Sequence, residues 1–508
     1  MCQCVYPETV EKWCVFEVTV KGPSDGNPFT DYSIKGTFYS KNETKTVEGF
    51  YDGDGIYKVR FMPSFEGKYI FEIEANFTDK KYEGEFTVTP PSKDNHGPLR
   101  VANTYHFAYE DGKPYYPIGT TCYAWTHQKM ELQEQTLETL KNSVFNKVRF
   151  CIFPKHFLYN LNEPLTYPYE GTPCDISHLK EEEAINFGRE FEGNNWDFKR
   201  FNPKHFQLIE KRIKDLMDLG IEADLILWHP YDRWGFSRMS KEDDDLYLNY
   251  VIARFAAYRN VWWSLANEYD LVGNKTLQDW ERFGSILCEK DPYNHLRSIH
   301  NCMSLYDFSR PWVTHCSVQK VDRYKTAEYV DELRIRFKKP VIYDEFGYEG
   351  DIEHEWGNLT GQEIVRRFWE AVCRGGYATH GETFFSPDNI LWWSHGGTLH
   401  GESAERLKFL YKILCETPGH GLRPHRLAWG EVVAVPEELW NRGEYYLIYF
   451  SFSRPRFKTF YFDDHTKYNV EIIDTWDMTI TDAGIHSGRF TVQLPGKQYM
   501  AIRLKKVE

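Results

Sequence analysis

Two short segments carry the chemistry this chain offers most plainly: Ser264-Leu265-Ala266-Asn267-Glu268-Tyr269-Asp270 and Val341-Ile342-Tyr343-Asp344-Glu345-Phe346-Gly347. Each is an apolar, β-prone run that ends in a carboxylate, the way a buried parallel strand delivers an acid to the mouth of a barrel. Two carboxyls converging from separate strands can act on a glycosidic bond, one protonating the departing oxygen while the other works from the opposite side of the anomeric carbon. Glu268 and Glu345 stand 77 residues apart. That separation accommodates about three βα units of about 25–30 residues each, as between the fourth and seventh strands of a (β/α)8 barrel.

The elements that must position these acids are legible between 99 and 416, where apolar strands alternate with amphipathic helices, the pattern of a parallel α/β architecture. Candidate strands are 116–125, 147–154, 221–230, 261–270, 295–301, 312–319, 340–347 and 377–385. Phe206, Ile209, Ile213, Leu216 and Met217 form one helical face that Gly220 terminates, and Leu277, Trp280, Phe283 and Leu287 repeat the spacing. Thr360 with Glu363 reads as a capping box ahead of Ile364, Phe368 and Val372, and Gly375-Gly376 ends that helix before strand eight. Residues 155–202 are too long and polar for scaffold and are expected at the rim of the pocket.

Residues 1–90 and 422–508 read as two β-sandwich domains flanking the barrel, because short stretches alternate apolar and polar side chains between Gly and Asp turns. The fold class expected is therefore α/β, a (β/α)8 TIM barrel with a sandwich on either side. A Pro-rich stretch at 89–98 reads as the first linker. Asp52-Gly53-Asp54-Gly55 is a hairpin turn rather than a calcium loop, since the distal ligands are missing.

In such a barrel the residues ending each strand face one pocket. Those residues are Arg149, His229, Asn267, Glu268, His300, Asn301, His315, Tyr343, Glu345, Glu382 and Trp393. Glu268 suits the general acid/base, its pKa raised by burial and nearby negative charge toward about 6. Glu345 suits the nucleophile, kept ionised by Arg149. Asn267 is placed to donate to a sugar 2-hydroxyl. His229 and His315 are expected to bind further hydroxyls or orient the acids, with His300, Tyr343 and Glu382 beside them, and Trp392-Trp393 to floor a sugar subsite.

Composition narrows the partners. With 61 basic against 75 acidic side chains the formal charge is −14, which argues against nucleic acid and anionic membranes. Aromatics make up 17% of the chain, and flat rings with polar edges suit sugar faces. No apolar run of about 18 residues is present to span a bilayer, and no charged-then-apolar leader opens the chain, so the cytoplasm is the expected location. Eleven scattered Cys read as reduced thiols. No cofactor and no metal is expected: neither His-Glu-x-x-His nor paired Cys-x-x-Cys occurs, and no Gly-x-Ser-x-Gly elbow suggests an esterase. The expected partner is an oligosaccharide or other glycoside, and the flanking sandwiches are compatible with a homo-oligomer.

These residues resemble clan A retaining glycoside hydrolases, in which an Asn-Glu pair ends strand four and a nucleophilic Glu ends strand seven. The match is Asn267-Glu268 and Glu345, with Arg149 after strand two, His229 after strand three, His315 after strand six and Trp393 after strand eight. The N-terminal region, with Phe61-Met62-Pro63 and Gly67-Lys68-Tyr69, resembles an immunoglobulin-like module. The three-part plan is similar to bacterial proteins related to the apiosidase-like barrel family. The resemblance implies a retaining glycosidase acting on a terminal β-linked or equivalent furanosidic sugar by double displacement. It departs in two places: His315 stands where clan members often carry a tyrosine that bonds the nucleophile, and Glu268 stands where apiosidase-like relatives can use a shorter carboxylate. A non-catalytic carbohydrate-binding protein on the same barrel is the alternative, and a hydrolase of sugar esters or amides lacks a suitable Ser or Cys arrangement.

Overall fold

The structure, a computed structural model, describes residues 4–185, 191–320, 322, 324–385, 390–428 and 431–507. At its centre lie eight parallel strands: β1 (Ile118–Thr121), β2 (Lys147–Cys151), β3 (Glu222–Trp228), β4 (Val261–Ala266), β5 (Arg297–Ser298), β6 (Cys316–Gln319), β7 (Val341–Glu345) and β8 (Tyr377–His380). Their spatial order is β5-β4-β3-β2-β1-β8-β7-β6. A bridge between His300 and Ser317 brings the β5 and β6 edges together, nearly closing the barrel. Every residue of β2, β3 and β4 is buried, as expected of strands covered by helices outside and by barrel side chains inside. The expected strands are all present but shorter, β5 keeping two residues.

The helices follow the sequence pattern. In α1 (Pro203–Asp218) the Asn202 side chain caps the first turn, Pro203 occupies a position that needs no N–H, and Phe206, Ile209, Ile213 and Leu216 are buried. Gly220 adopts φ 72° just beyond it. In α2 (Leu277–Lys290) Trp280, Phe283 and Leu287 are buried, but Leu277 is 62% exposed: as the first helical residue it sits beyond the packed stripe. In α3 (Gly361–Cys373) Thr360 accepts from the Glu363 amide as a cap. The reciprocal half of the expected capping box is absent, because the Glu363 carboxylate pairs instead with Arg366 and Arg367.

Before the barrel, strands lie in sheets of four, five and three, and after it in sheets of six and two. The N-terminal sheets are tied to the barrel by buried charge pairs. Arg60 makes a bidentate contact of 2.7 Å on each arm with Glu210 of α1, and Asp52, at the turn after Phe50–Tyr51, pairs with Arg254 at 2.6 Å. Bidentate geometry of this kind fixes orientation as well as adding attraction. The ten Cys among the described residues are all free, and no helix among those residues is long and apolar enough to cross a membrane.

Candidate active site

A cavity of about 410 Å³ opens at the C-terminal ends of the barrel strands, where barrels of this type gather their functional groups. Glu268 and Glu345 both line it, with Asn267, Lys155, Tyr123, Tyr231, Gln319 and Trp393. Each acid is bonded by a tyrosine hydroxyl from another strand's loop: Tyr123, after β1, donates to Glu345, and Tyr231, after β3, donates to Glu268. The tyrosine that the resemblance places at strand six thus arrives here from the end of strand one.

Glu268 ends β4 in the left-handed region at φ 50°. A non-glycine residue there costs on the order of 1–3 kcal/mol and persists where the surroundings hold it in place. The turn is held by the Tyr269 amide donating to His300 O at 2.9 Å and the Leu271 amide donating to Glu268 O at 2.9 Å. A tight turn at the strand end thus sets the acid on the cavity wall.

Burial raises both acids. For Glu345, repulsion from Glu268 adds to burial while the Tyr123 hydroxyl, Arg149 and Lys155 oppose it, leaving its pKa at about 7. Glu268 is raised by burial against the Tyr231, Gln319 and Cys302 hydrogen bonds and the Lys155 charge. Two interacting carboxyls release their protons as a pair, so the upward shift belongs to both acids together.

Beneath the acids, side chains inside the barrel form a charge-balanced layer. Lys147 contacts Asp224 at 2.9 Å and Asp344 at 2.7 Å. Arg149 contacts the same two acids at 3.3 and 3.2 Å, and its other arm holds the Asn267 amide oxygen at 3.1 Å. Burial alone would raise Asp344, but Lys147 and Arg149 beside it outweigh that and hold its carboxyl well below the usual range. Arg149 therefore acts on Glu345 only at a distance, its direct contacts being with Asp224, Asp344 and Asn267. By fixing the oxygen side of Asn267 it leaves the NH2 side to donate.

Several expected site residues do not reach the cavity. His315 precedes β6 and so lies at the N-terminal end of the barrel against Phe107 and Trp262; Gln319, at the other end of β6, lines the cavity instead. His300 is buried near Arg149. His229 is a brace: its Nε2 lies 3.1 Å from Phe153 O, and its Nδ1 accepts from the Tyr231 amide at 3.2 Å, steadying the loop that bears Tyr231. Burial lowers His229 and His315 to about 4, so both stay neutral. Tyr343 alternates with the inward Asp344 and lies on the outer layer toward Tyr329 and Asp331. Trp392 turns from the cavity to donate to Thr120 at 2.8 Å, while Trp393 lines it. Asn301 steadies β6, accepting from the Gln319 amide at 3.3 Å.

Glu382 is buried under the following loop, accepting from the His400 amide at 2.8 Å and the Gly401 amide at 3.0 Å. Together with Glu349 and His380 it forms a group whose ligand atoms lie within 4.8 Å of one another, a spacing that would accommodate a metal ion. Both carboxylates already hold backbone: Glu349 accepts from the Glu402 and Ser403 amides, capping the helix Ser403–Cys415. The group thus anchors that loop to the ends of β7 and β8.

Of the long segment 155–202, Lys155, Phe157 and Leu158 line the cavity. Its later described part pairs Tyr169–Thr172 with Asn195–Phe201 as an antiparallel ribbon, which bonds to the N-terminal region through Asn27 and Arg200. The remaining wall is aromatic and came without a strand-end signal: Tyr348 and Trp356 follow β7, and Trp356 packs 5.2 Å from Trp393.

Comparison with known proteins agrees with this architecture. Residues 101–420 match the family model described as apiosidase-like, catalytic domain, while 9–76 and 429–505 match two domains of unknown function, DUF5060 and DUF5605. The crystal structure of an inferred glycoside hydrolase from Bacteroides vulgatus ATCC 8482 is 39% identical, with a TM-score of 0.89, covering 99% of this chain and 100% of that one. A structure named glycoside hydrolase shares the fold at 15% identity and a TM-score of 0.59, covering 81% of this chain and 97% of its own. No curated protein matches the chain.

Proposed function

The chain belongs to the apiosidase-like catalytic-domain family and is a glycoside hydrolase, and from that premise we propose that it removes a terminal β-linked, or equivalent furanosidic, sugar with retention at the anomeric carbon. The observation that carries this reading is the convergence of Glu268 and Glu345 on one cavity, each bonded by a tyrosine hydroxyl.

In the first half-reaction the Glu345 carboxylate attacks the anomeric carbon while Glu268 gives its proton to the departing oxygen. A glycosyl ester forms on Glu345 and the negative charge passes to Glu268. In the second, Glu268 takes a proton from water, whose oxygen attacks the same carbon, and Glu345 leaves as a carboxylate. Asn267, oriented by Arg149, donates to the sugar hydroxyl beside the reacting carbon, a contact that strengthens as positive charge develops there. Trp393 and Trp356 present ring faces to the sugar. We read the chain as three modules, 1–90, 99–416 and 422–508, with chemistry confined to the second.

The test is hydrolysis of a panel of aryl glycosides by the wild type and by Glu345→Ala with and without azide. Turnover that disappears in the variant and returns as a glycosyl azide of inverted configuration supports the assignment. A first-formed sugar of inverted configuration from the wild type would overturn it.

A further inference from the structure

Lys155 is a buried ammonium with an environment unlike that of the other cations around the site. It is 2% exposed, lines the cavity, and its Nζ has no hydrogen-bond partner among the described residues. Three aromatic rings surround it: Nζ lies 3.7 Å from the Trp393 ring centre, 4.9 Å from that of Tyr231 and 5.0 Å from that of Tyr123. Those tyrosines are the two whose hydroxyls bond Glu268 and Glu345. Cation–π attraction favours such a cage but does not replace the lost hydration of an ammonium. Something negative must face it.

The layer below cannot supply that charge, because Lys147 and Arg149 already balance Asp224 and Asp344. What remains is the single negative charge of the catalytic pair. We propose that Lys155 is the counter-cation of the Glu268–Glu345 pair, a positioning residue that balances the one negative charge as it passes from Glu345 to Glu268 and back during turnover. The proposal rests on reading those two acids as the catalytic pair. One cation seated against both tyrosines serves both half-reactions, which an arginine tied to one acid would not.

The groups facing Lys155 are consistent with this role. Cys151 lies on β2, Tyr123 follows β1, His229 and Tyr231 follow β3, Glu268 ends β4, and Glu345 and Tyr348 come from β7 and its loop. Burial pushes the tyrosines and Cys151 upward, so they stay neutral. Burial also pulls the ammonium down to about 8 against the attraction of Cys151, Glu345 and Glu268, which leaves it charged where the pair works.

The experiment is carboxyl-carbon NMR titration of the full chain labelled at glutamate δ-carbon, with Glu268→Gln and Glu345→Gln assigning the two signals. Lys155→Met should move both titrations upward by about one pH unit or more, since a charge within the same buried site has been removed; Lys155→Arg should restore most of the shift. Lys155→Gln gives the same reading should the Met variant not fold. Signals that titrate within about 0.2 unit of wild type in both neutral variants would overturn the proposal. This readout needs no substrate, so it stands apart from the azide experiment. A shift without any glycoside turnover would sustain the counter-charge and sink the enzyme reading, and the reverse result would do the opposite.

Discussion

Tyr123→Phe deletes one oxygen and keeps the ring that packs beside Trp393 and Lys155. The hydroxyl donates to Glu345 in a buried setting, and a hydrogen bond to a charged group contributes about 1.5–3 kcal/mol. Losing it disfavours the ionised form of Glu345 alone, so by linkage its pKa, already pushed up to about 7, should rise by about 1–2 units at about 1.4 kcal/mol per unit. The acid limb of the pH dependence of kcat/KM reports the nucleophile of the free enzyme. It should therefore move up by the same 1–2 units, and kcat/KM at a pH below the wild-type limb should fall about 10–100-fold. Activity should recover as pH rises, until ionisation of the acid/base limits it. The assay is initial-rate hydrolysis of a cleavable aryl glycoside across pH 5–9, with circular dichroism to confirm folding. A uniform loss with an unmoved acid limb would refute the reasoning, because it would mean that Tyr123 does not stabilise the charge on Glu345.

Glu268→Ala should retain turnover of aryl glycosides with good leaving groups and lose it by more than about 100-fold for poor ones, which general-acid assistance predicts; equal losses across a leaving-group series would contradict the assignment. Glu268→Gly should abolish normal activity yet raise stability by about 1 kcal/mol, because glycine relieves the left-handed backbone at φ 50°; a lowered melting temperature would count against strain at this site. Asp344→Asn should destabilise the fold at neutral pH by about 3–5 kcal/mol in urea titration, since it leaves Lys147 and Arg149 facing Asp224 alone. The folded pKa of Asp344 is depressed, so its stabilisation is fully present above the unfolded value of about 3.9 and disappears as pH falls through the folded one. The gap between wild type and variant should therefore be constant from pH 5 upward and narrow only in acid.

Much of the scaffold was legible because its signals are local. The apolar face of Phe206, Ile209, Ile213 and Leu216 is a matter of spacing along one helix, and β3 and β4 announced themselves as buried, largely apolar runs. The site was legible where a residue sits at the C-terminal end of a strand, as Asn267, Glu268 and Glu345 do, while Trp393 lines the cavity from the short helix Trp392–His395. It was misread where a one-residue change of face or a reversed strand end decides the outcome. Tyr343 and Asp344 are adjacent yet lie on opposite sides of β7, and His315 lies at the far end of β6 from Gln319. Leu277 fell outside the packed stripe for the same reason, its place in the helix rather than its type.

The sequence by itself determined the alternation of strands and helices and the two acids at strand ends, because backbone periodicity and the in-or-out preference of each side chain act over a few residues. Only the tertiary structure decided which groups act on those acids. Tyr123 and Glu345 are 222 residues apart and Tyr231 and Glu268 are 37 apart, and Lys155 was hidden in a segment that read as a polar rim. Whether a lysine is a solvated surface charge or a buried counter-ion depends on what closes around it, and here three rings from separate segments do so. Electrostatic roles are set by distance in space and by exclusion of water, and neither quantity is written in the order of residues along the chain.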